Sequence, residues 1–172
     1  EILGSLIYER SRTGDIVQGL PRVEEILEAR NPKTEAILVE QTGIIRKIQN
    51  NPNNSSIQVW IKGVGKINRS NEKLDRYEVM SKERLLINKF EFVNVGQCLN
   101  DAPVNPHALL KICFNSYSTL QLFSDYRAAQ KSFKRVQFLL LNSIQGVYYS
   151  QGVNISDKHI EIIIKQMTKK VQ

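Results

Sequence analysis

The stretch "GIIRKIQNNPNNSSIQVWIKG", residues 43–63, decides the fold class. In its second half Ile57, Val59 and Ile61 alternate with Gln58, Trp60 and Lys62. Side chains of a strand point to opposite faces in turn, so a period of two marks a half-buried strand and not a helix. The insert "NNPNNSS", residues 50–56, is a polar break between this run and "GIIRKI". Similar short runs lie on either side: "AILVE", "YEVM" and "LLINKFEFV", separated by Gly, Asn, Pro and Ser. From Thr34 to about Gly96 the chain therefore reads as a small antiparallel module of about five strands.

The period changes on both sides of this module. In "GDIVQGLPRVEEILEARNPK", residues 14–33, apolar side chains fall at Leu20, Val23, Ile26 and Leu27, with the stem of Arg30 one turn on. That spacing predicts a helix with one buried stripe. Pro21 suits a first turn, where its missing N–H is not needed, and Gly14 and Gly19 are expected as loose joints just upstream. Glu24 and Glu25 favour the positive end of the helix dipole and Arg30 the negative end, and Asn31–Pro32 stops the helix. Beyond the module, Asn105 is placed to cap a helix that starts at Pro106 and carries Leu109, Leu110 and Cys113 on one side. A longer amphipathic stretch from about Ser124 to Tyr149 follows, with Phe133, Val136, Leu140, Ile144, Val147 and Tyr148 at helical spacing. Gly152 is expected as its left-handed cap. The last helix carries Ile160, Ile163, Ile164, Met167 and Val171, with Ser156 or Asp157 as cap, and pairs with the preceding helix as an antiparallel hairpin. The fold class is α+β.

The chain has 172 residues, 41% of them hydrophobic and 24% charged, the balance of an ordinary globular chain able to bury a core. No apolar run approaches the ~20 residues that span a bilayer, so no membrane partner is expected. The first residue is Glu1 and not Met, which is expected of a cut from a longer polypeptide. The net charge of +7 is uneven: residues 1–40 hold five basic and eight acidic side chains, leaving +10 for the rest. Residues 62–89 alone carry eight Lys or Arg against four Asp or Glu. Such a lobe suits a polyanion partner, DNA or RNA, and equally suits solubility.

The residues offer little chemistry of their own. Cys98 and Cys113 are the only cysteines, too few for a four-ligand structural zinc site, and are expected as buried or half-buried thiols in a reducing compartment. His107 and His159, the only histidines, lie at helix starts with no nucleophile of matching geometry in view. "GVGKINRS", residues 63–70, lacks the spacing of a phosphate-wrapping loop, and Glu24, Glu25 and Glu28 lie on the outer helix face. No catalytic residue and no metal ligand is assigned, which describes a binding or mechanical piece.

Two long stretches, "GDIVQGLPRVEEILEARNPK" (14–33) and "VYYSQGVNISDKHIEIIIKQM" (147–167), resemble the C-terminal part of the largest-subunit family of multisubunit DNA-directed RNA polymerases. The family is that of the bacterial β′ subunit, split in cyanobacteria and plastids so that this part lies in β″. "NVGQCLNDAPVNPHALL" (94–110) is similar to the family's stretch before its next helices, and "LGSLIYERSRTGD" (3–15) to the plastid version of the N-terminal junction. Val17, Ile26–Leu27, Ala102 and Ala108 depart from the family, which tends to have Thr, Leu–Phe, Gly and Asp there.

The resemblance implies that residues 1–33 are the tip and second helical arm of the trigger loop, matched at Gly19, Leu20, Pro21, Arg22, Val23, Glu28, Ala29 and Arg30. Leu20, Val23 and Leu27 would dock this arm while Gly14 and Gly19 let it bend, a mechanical role. Residues 34–103 would be a jaw-like β module near downstream DNA, with Lys62, Lys66, Arg69 and Lys73 as candidate phosphate contacts. Residues 104–172 would be a helical region buried against other subunits. The implied partners are the β, β′ and α subunits, template and downstream DNA, and, through the complex, RNA and nucleoside triphosphates. The implied cofactors, Mg2+ in the active centre and Zn2+ elsewhere in the subunit, have no ligands in this segment. The plastid is the implied location, favoured by the 14 Asn and 19 Ile with their A/T-heavy codons, and a cyanobacterial cytoplasm is the alternative. A free-standing basic nucleic-acid-binding module without catalytic role is the competing expectation.

Overall fold

The computed structural model of the chain describes residues 13–32, 34–51, 55–64, 74–80, 84–119 and 124–169, with side chains from Leu20 onward. Its elements run α1 (Thr13–Leu27), β1 (Gly43–Asn51), β2 (Ser56–Gly63), β3 (Leu74–Met80), β4 (Phe92–Val93), α2 (Pro106–Thr119), α3 (Asp125–Ser150) and α4 (Asp157–Met167). The class is α+β, as the change of period implies. The chain forms two compact units, one of residues 31–136 and one of residues 1–30 with 137–172.

The larger unit is built on a four-stranded antiparallel sheet of order β3-β2-β1-β4. Val59 and Ile61 of β2 turn inward onto Ile45, Val79 and Val93, and Val39, Ile87 and Leu99 complete a fully enclosed cluster. Among the described residues four strands form where about five were expected, and "AILVE" does not enter the sheet. Its backbone is met by residues 97–103: Val39 N–H donates to Gln97 O (3.0 Å), Leu99 N–H to Ile37 O (2.9 Å) and Ala36 N–H to Pro103 O (2.9 Å). The Asn100 side chain takes the Ile37 N–H at 2.7 Å and interrupts the ladder, leaving one bridge, Leu38 with Cys98. Of "LLINKFEFV", Phe92–Val93 pair as β4 and Leu85 makes a single bridge with Asn100, while Ile87 and Val93 enter the core and Leu86 and Phe90 are exposed.

In the same unit α2 closes on the module where Gly96 sits, at φ +73° with Leu109 against it. Asn105 caps α2, its Oδ1 accepting from His107 N–H (3.0 Å) and Ala108 N–H (3.5 Å), so the departure to Ala108 leaves the helix start intact. The larger unit thus includes α2 and the first half of α3 and ends at Val136.

The smaller unit holds α1, the second half of α3 and α4. Gln137 Nε2 donates to Thr168 Oγ1 at 2.6 Å, and Gln145 Nε2 bonds Asp157 Oδ1, so α3 and α4 run antiparallel as a hairpin. Leu140, Ile144, Ile160 and Ile164 are buried. Gly152, at φ +74°, ends α3 with Gly152 N–H on Tyr149 O and Val153 N–H on Tyr148 O, both 3.0 Å. Ser156 is the N-cap residue of α4, and its side chain makes no capping bond.

Candidate functional site

α1 starts earlier than its sequence indicates. Gly14 and Gly19 lie within the helix, and Pro21 stands in its interior and not in its first turn. Glycine in a helix costs about 1 kcal/mol relative to alanine and does not forbid it, so the helix extends back over both. An interior proline removes one donor and crowds the carbonyl four residues back, that of Val17, at a cost of about 3 kcal/mol. The buried stripe is narrower than expected: Val23 and Ile26 are buried, Leu27 is half-buried, and Leu20 is 49% exposed. Arg30 is exposed and pairs with Glu28, and Arg22 Nη1 lies 2.7 Å from Glu25 Oε2.

The C-terminal end of α1 is well tied. Ala29 N–H donates to Ile26 O and Arg30 N–H to Glu25 O, both 3.1 Å, the paired closure of a Schellman turn. The turn needs a left-handed residue, and Ala29 adopts φ +49° where glycine is usual. Burying Val23 and Ile26 contributes roughly 1.5–3 kcal/mol each. The interior proline and two glycines cost about 5 kcal/mol together. The costs at Gly14, Gly19 and Pro21 are thus of the same order as the gain from burying Val23 and Ile26.

In the other unit Lys62 sits at the end of β2, on the sheet face opposite the core. Lys66, Arg69 and Lys73 lie outside the described residues. Sequence reading missed a second cationic group, Arg46, Lys47 and Arg76, all exposed. A β-bulge between Ile45 and Lys47 makes Arg46 the extra residue and sets Lys47 opposite Trp60, whose other neighbour is Arg76. The Lys47 ammonium lies 5.1 Å from the Trp60 ring centroid, a cation–π contact. Alternation in "GIIRKI" hints at no bulge, because a bulge exists only relative to a partner strand.

The remaining polar groups serve structure. Tyr77 Oη accepts the Glu40 N–H at 3.1 Å, and burial holds its phenol above the usual range. Burial also raises the thiols of Cys98, half-buried, and Cys113, buried, against the opposing field of Arg135. His107 and His159 are exposed. A groove of about 400 Å3 beside the α3–α4 turn is lined by amides, tyrosines and apolar groups such as Gln145, Tyr148 and Ile155, with no carboxylate, histidine or thiol. Among the described residues no three His, Cys, Asp or Glu side chains converge, so the donor set fits neither magnesium nor zinc and no step is routed through either. Nor, among them, is any helix long and apolar enough to cross a membrane.

A family model described as RNA polymerase Rpb1, domain 5 matches residues 10–172. Among curated relatives, DNA-directed RNA polymerase subunit beta' of Prochlorococcus marinus is 41% identical over 170 residues, 99% of this chain and 12% of the relative. Subunit beta'' of Paulinella chromatophora is 39% identical over 170 residues, again 99% of the chain and 12% of the relative. Subunit beta'' of Rhodomonas salina is 40% identical over 172 residues, 100% of the chain and 12% of the relative. The chain thus spans 12% of the length of these relatives. The likeness carried by residues 14–33 and 147–167 extends over almost the whole chain: it belongs to the RNA polymerase Rpb1 domain 5 family.

Proposed function

We propose that the chain is a segment of the β″ subunit of a DNA-dependent RNA polymerase, in which α1 gates nucleotide addition and the β module braces downstream DNA. The observation that carries this reading is the family match over residues 10–172, supported by relatives called subunit beta'' at about 40% identity. The complete polymerase would copy DNA into RNA from the four ribonucleoside triphosphates, its metal ions supplying the phosphoryl-transfer chemistry from outside this segment. Its partners would be the β, β′ and α subunits together with DNA, and its location a plastid, with a cyanobacterial cytoplasm as the alternative.

The role of this chain's own residues is mechanical. A gating helix must fold when the correct substrate is bound and unfold afterwards, so its two states should differ by only a few kcal/mol. Costs at Gly14, Gly19 and Pro21 of the same order as the gain from burying Val23 and Ile26 support that reading. The tied end at Ala29 and Arg30 would be the fixed side about which the arm moves. In the module, Lys62 and the loop cations Lys66, Arg69 and Lys73 would contact phosphates through charge alone, independent of sequence and sensitive to salt.

The test places Val23→Ser and Ile26→Ser together in the assembled polymerase and measures single-nucleotide addition. Losing two buried apolar groups shifts the arm toward its unfolded state, and a drop of at least about tenfold with assembly intact is expected. Addition at the parental rate contradicts the gating role. Failure of the parental chain to assemble with polymerase subunits, together with DNA affinity of the chain alone, supports a free-standing nucleic-acid module instead.

A further inference from the structure

An antiparallel sheet with one buried face ordinarily turns a polar face outward. This one does not. Register sets Phe92, Ile44, Lys62 and Leu74 in one row across the outer face, with Lys47, Trp60 and Arg76 in the next. Phe92 is 53% exposed, Leu74 41%, and Met80, further along β3, 68%.

We propose that this outer face docks an acidic, apolar-studded segment of another polypeptide of the assembly, with Phe92 and Leu74 as apolar anchors and Lys47 and Arg76 facing its carboxylates. The inference rests on the reading of the chain as part of a multisubunit polymerase. Aromatic residues, methionine and arginine are the types enriched where proteins meet, and this face carries all three. A phosphate backbone would engage the cations but leave Phe92, Leu74 and Met80 in water, so these exposed apolar side chains favour a polypeptide.

The sign of the partner follows from charge. Arg46, Lys47 and Arg76 are exposed cations around Trp60, while the face's acid, Glu78, accepts the Ser56 hydroxyl at 2.5 Å. The bulge sharpens this. Without its extra residue Arg46 would pair with Trp60, and Lys47 would face the core opposite Val59. With it, Lys47 stands over the indole ring and Ile48 takes the place opposite Val59. A cation held by an aromatic ring, on a strand-paired face that also exposes Phe92 and Leu74, is organised before any partner arrives, which lowers the ordering cost of association.

The test uses the assembled polymerase with Phe92→p-benzoylphenylalanine, irradiated on template DNA, digested and sequenced by mass spectrometry. A crosslink to an Asp/Glu-rich peptide is expected. Its yield should fall about tenfold when Lys47→Glu and Arg76→Glu are added, since opposed charges at a contact become like charges. Both positions are exposed, so the pair leaves the fold in place, and circular dichroism of the full chain verifies that. A crosslink to DNA, to a peptide without acidic residues, or to nothing overturns the proposal, as does a yield unmoved by charge reversal. Failure of the subunit to copurify with the polymerase overturns the assembly reading itself, a result separable from the others.

Discussion

Leu109 places its Cδ1 2.7 Å from the point that a Cβ on Gly96 would occupy. Cys113 Sγ lies 3.4 Å from the same point, and Gly96 holds φ +73°. A side chain here meets both backbone strain and a filled space. Gly96→Ala should destabilise the larger unit by about 2–4 kcal/mol, from about 1 for the left-handed conformation and 1–3 for overpacking. Urea unfolding of the chain measures it. In a Leu109→Ala background, itself less stable, Gly96→Ala should cost less, because the overpacking is relieved and the conformation is not.

Asn105 joins two jobs in one side chain. Its Oδ1 caps α2, and its Nδ2 donates to Asn31 Oδ1 (3.2 Å) and Glu35 Oε1 (3.0 Å). Asn105→Ala should cost about 2–3 kcal/mol by the same unfolding assay. Asn105→Asp keeps the cap but sets a carboxylate beside that of Glu35. Like charges raise the folded-state pKa, so its stability relative to the parent should be best near pH 4 and decline as pH rises to 7.

Ala29 holds the left-handed position that ends α1. Ala29→Gly should strengthen that end by about 1 kcal/mol. Hydrogen exchange at the Arg30 amide, bonded to Glu25 O, should slow roughly fivefold, the equivalent of that energy, wherever exchange follows opening of the turn.

Tyr77 makes the larger unit sensitive to alkali. Burial raises its phenol pKa, so the folded state keeps the proton to higher pH than the unfolded state does. The associated stability is complete below the unfolded value, about 10, and is lost as pH climbs through the folded one. Buried Cys98 and Cys113 act in the same direction from lower pH, so the comparison is with Tyr77→Phe. Above pH 10 the parent should lose stability faster than this variant in chemical unfolding across pH.

What was legible in the sequence was what short-range chemistry decides. Asn105 before Pro106 marks a cap, Gly152 after a helical stripe marks its end, and Ile57 to Ile61 alternate because β2 has one buried face. Each signal lies within a few residues of the feature it announces. Pro21 misled because a first-turn site is where proline costs least, whereas here a longer helix carries it at a loss. "AILVE" has the composition of a strand, but its neighbour's Asn100 takes a ladder donor, a fact 63 residues away in the chain. Arg46, Lys47 and Arg76 were missed for the same reason: a bulge and a cross-strand row have no local mark. The loop cations Lys66, Arg69 and Lys73 fall outside the described residues.

Pro21→Ala in the assembled polymerase tests the central claim, that α1 works by being only marginally stable. Removing the interior proline should stabilise the helix by up to about 3 kcal/mol and raise the hydrogen-exchange protection of α1. On the proposed gating role, in which the arm unfolds in every cycle, average elongation should then slow about fivefold or more, with longer pauses. A more protected helix with elongation and pausing unchanged would contradict the account.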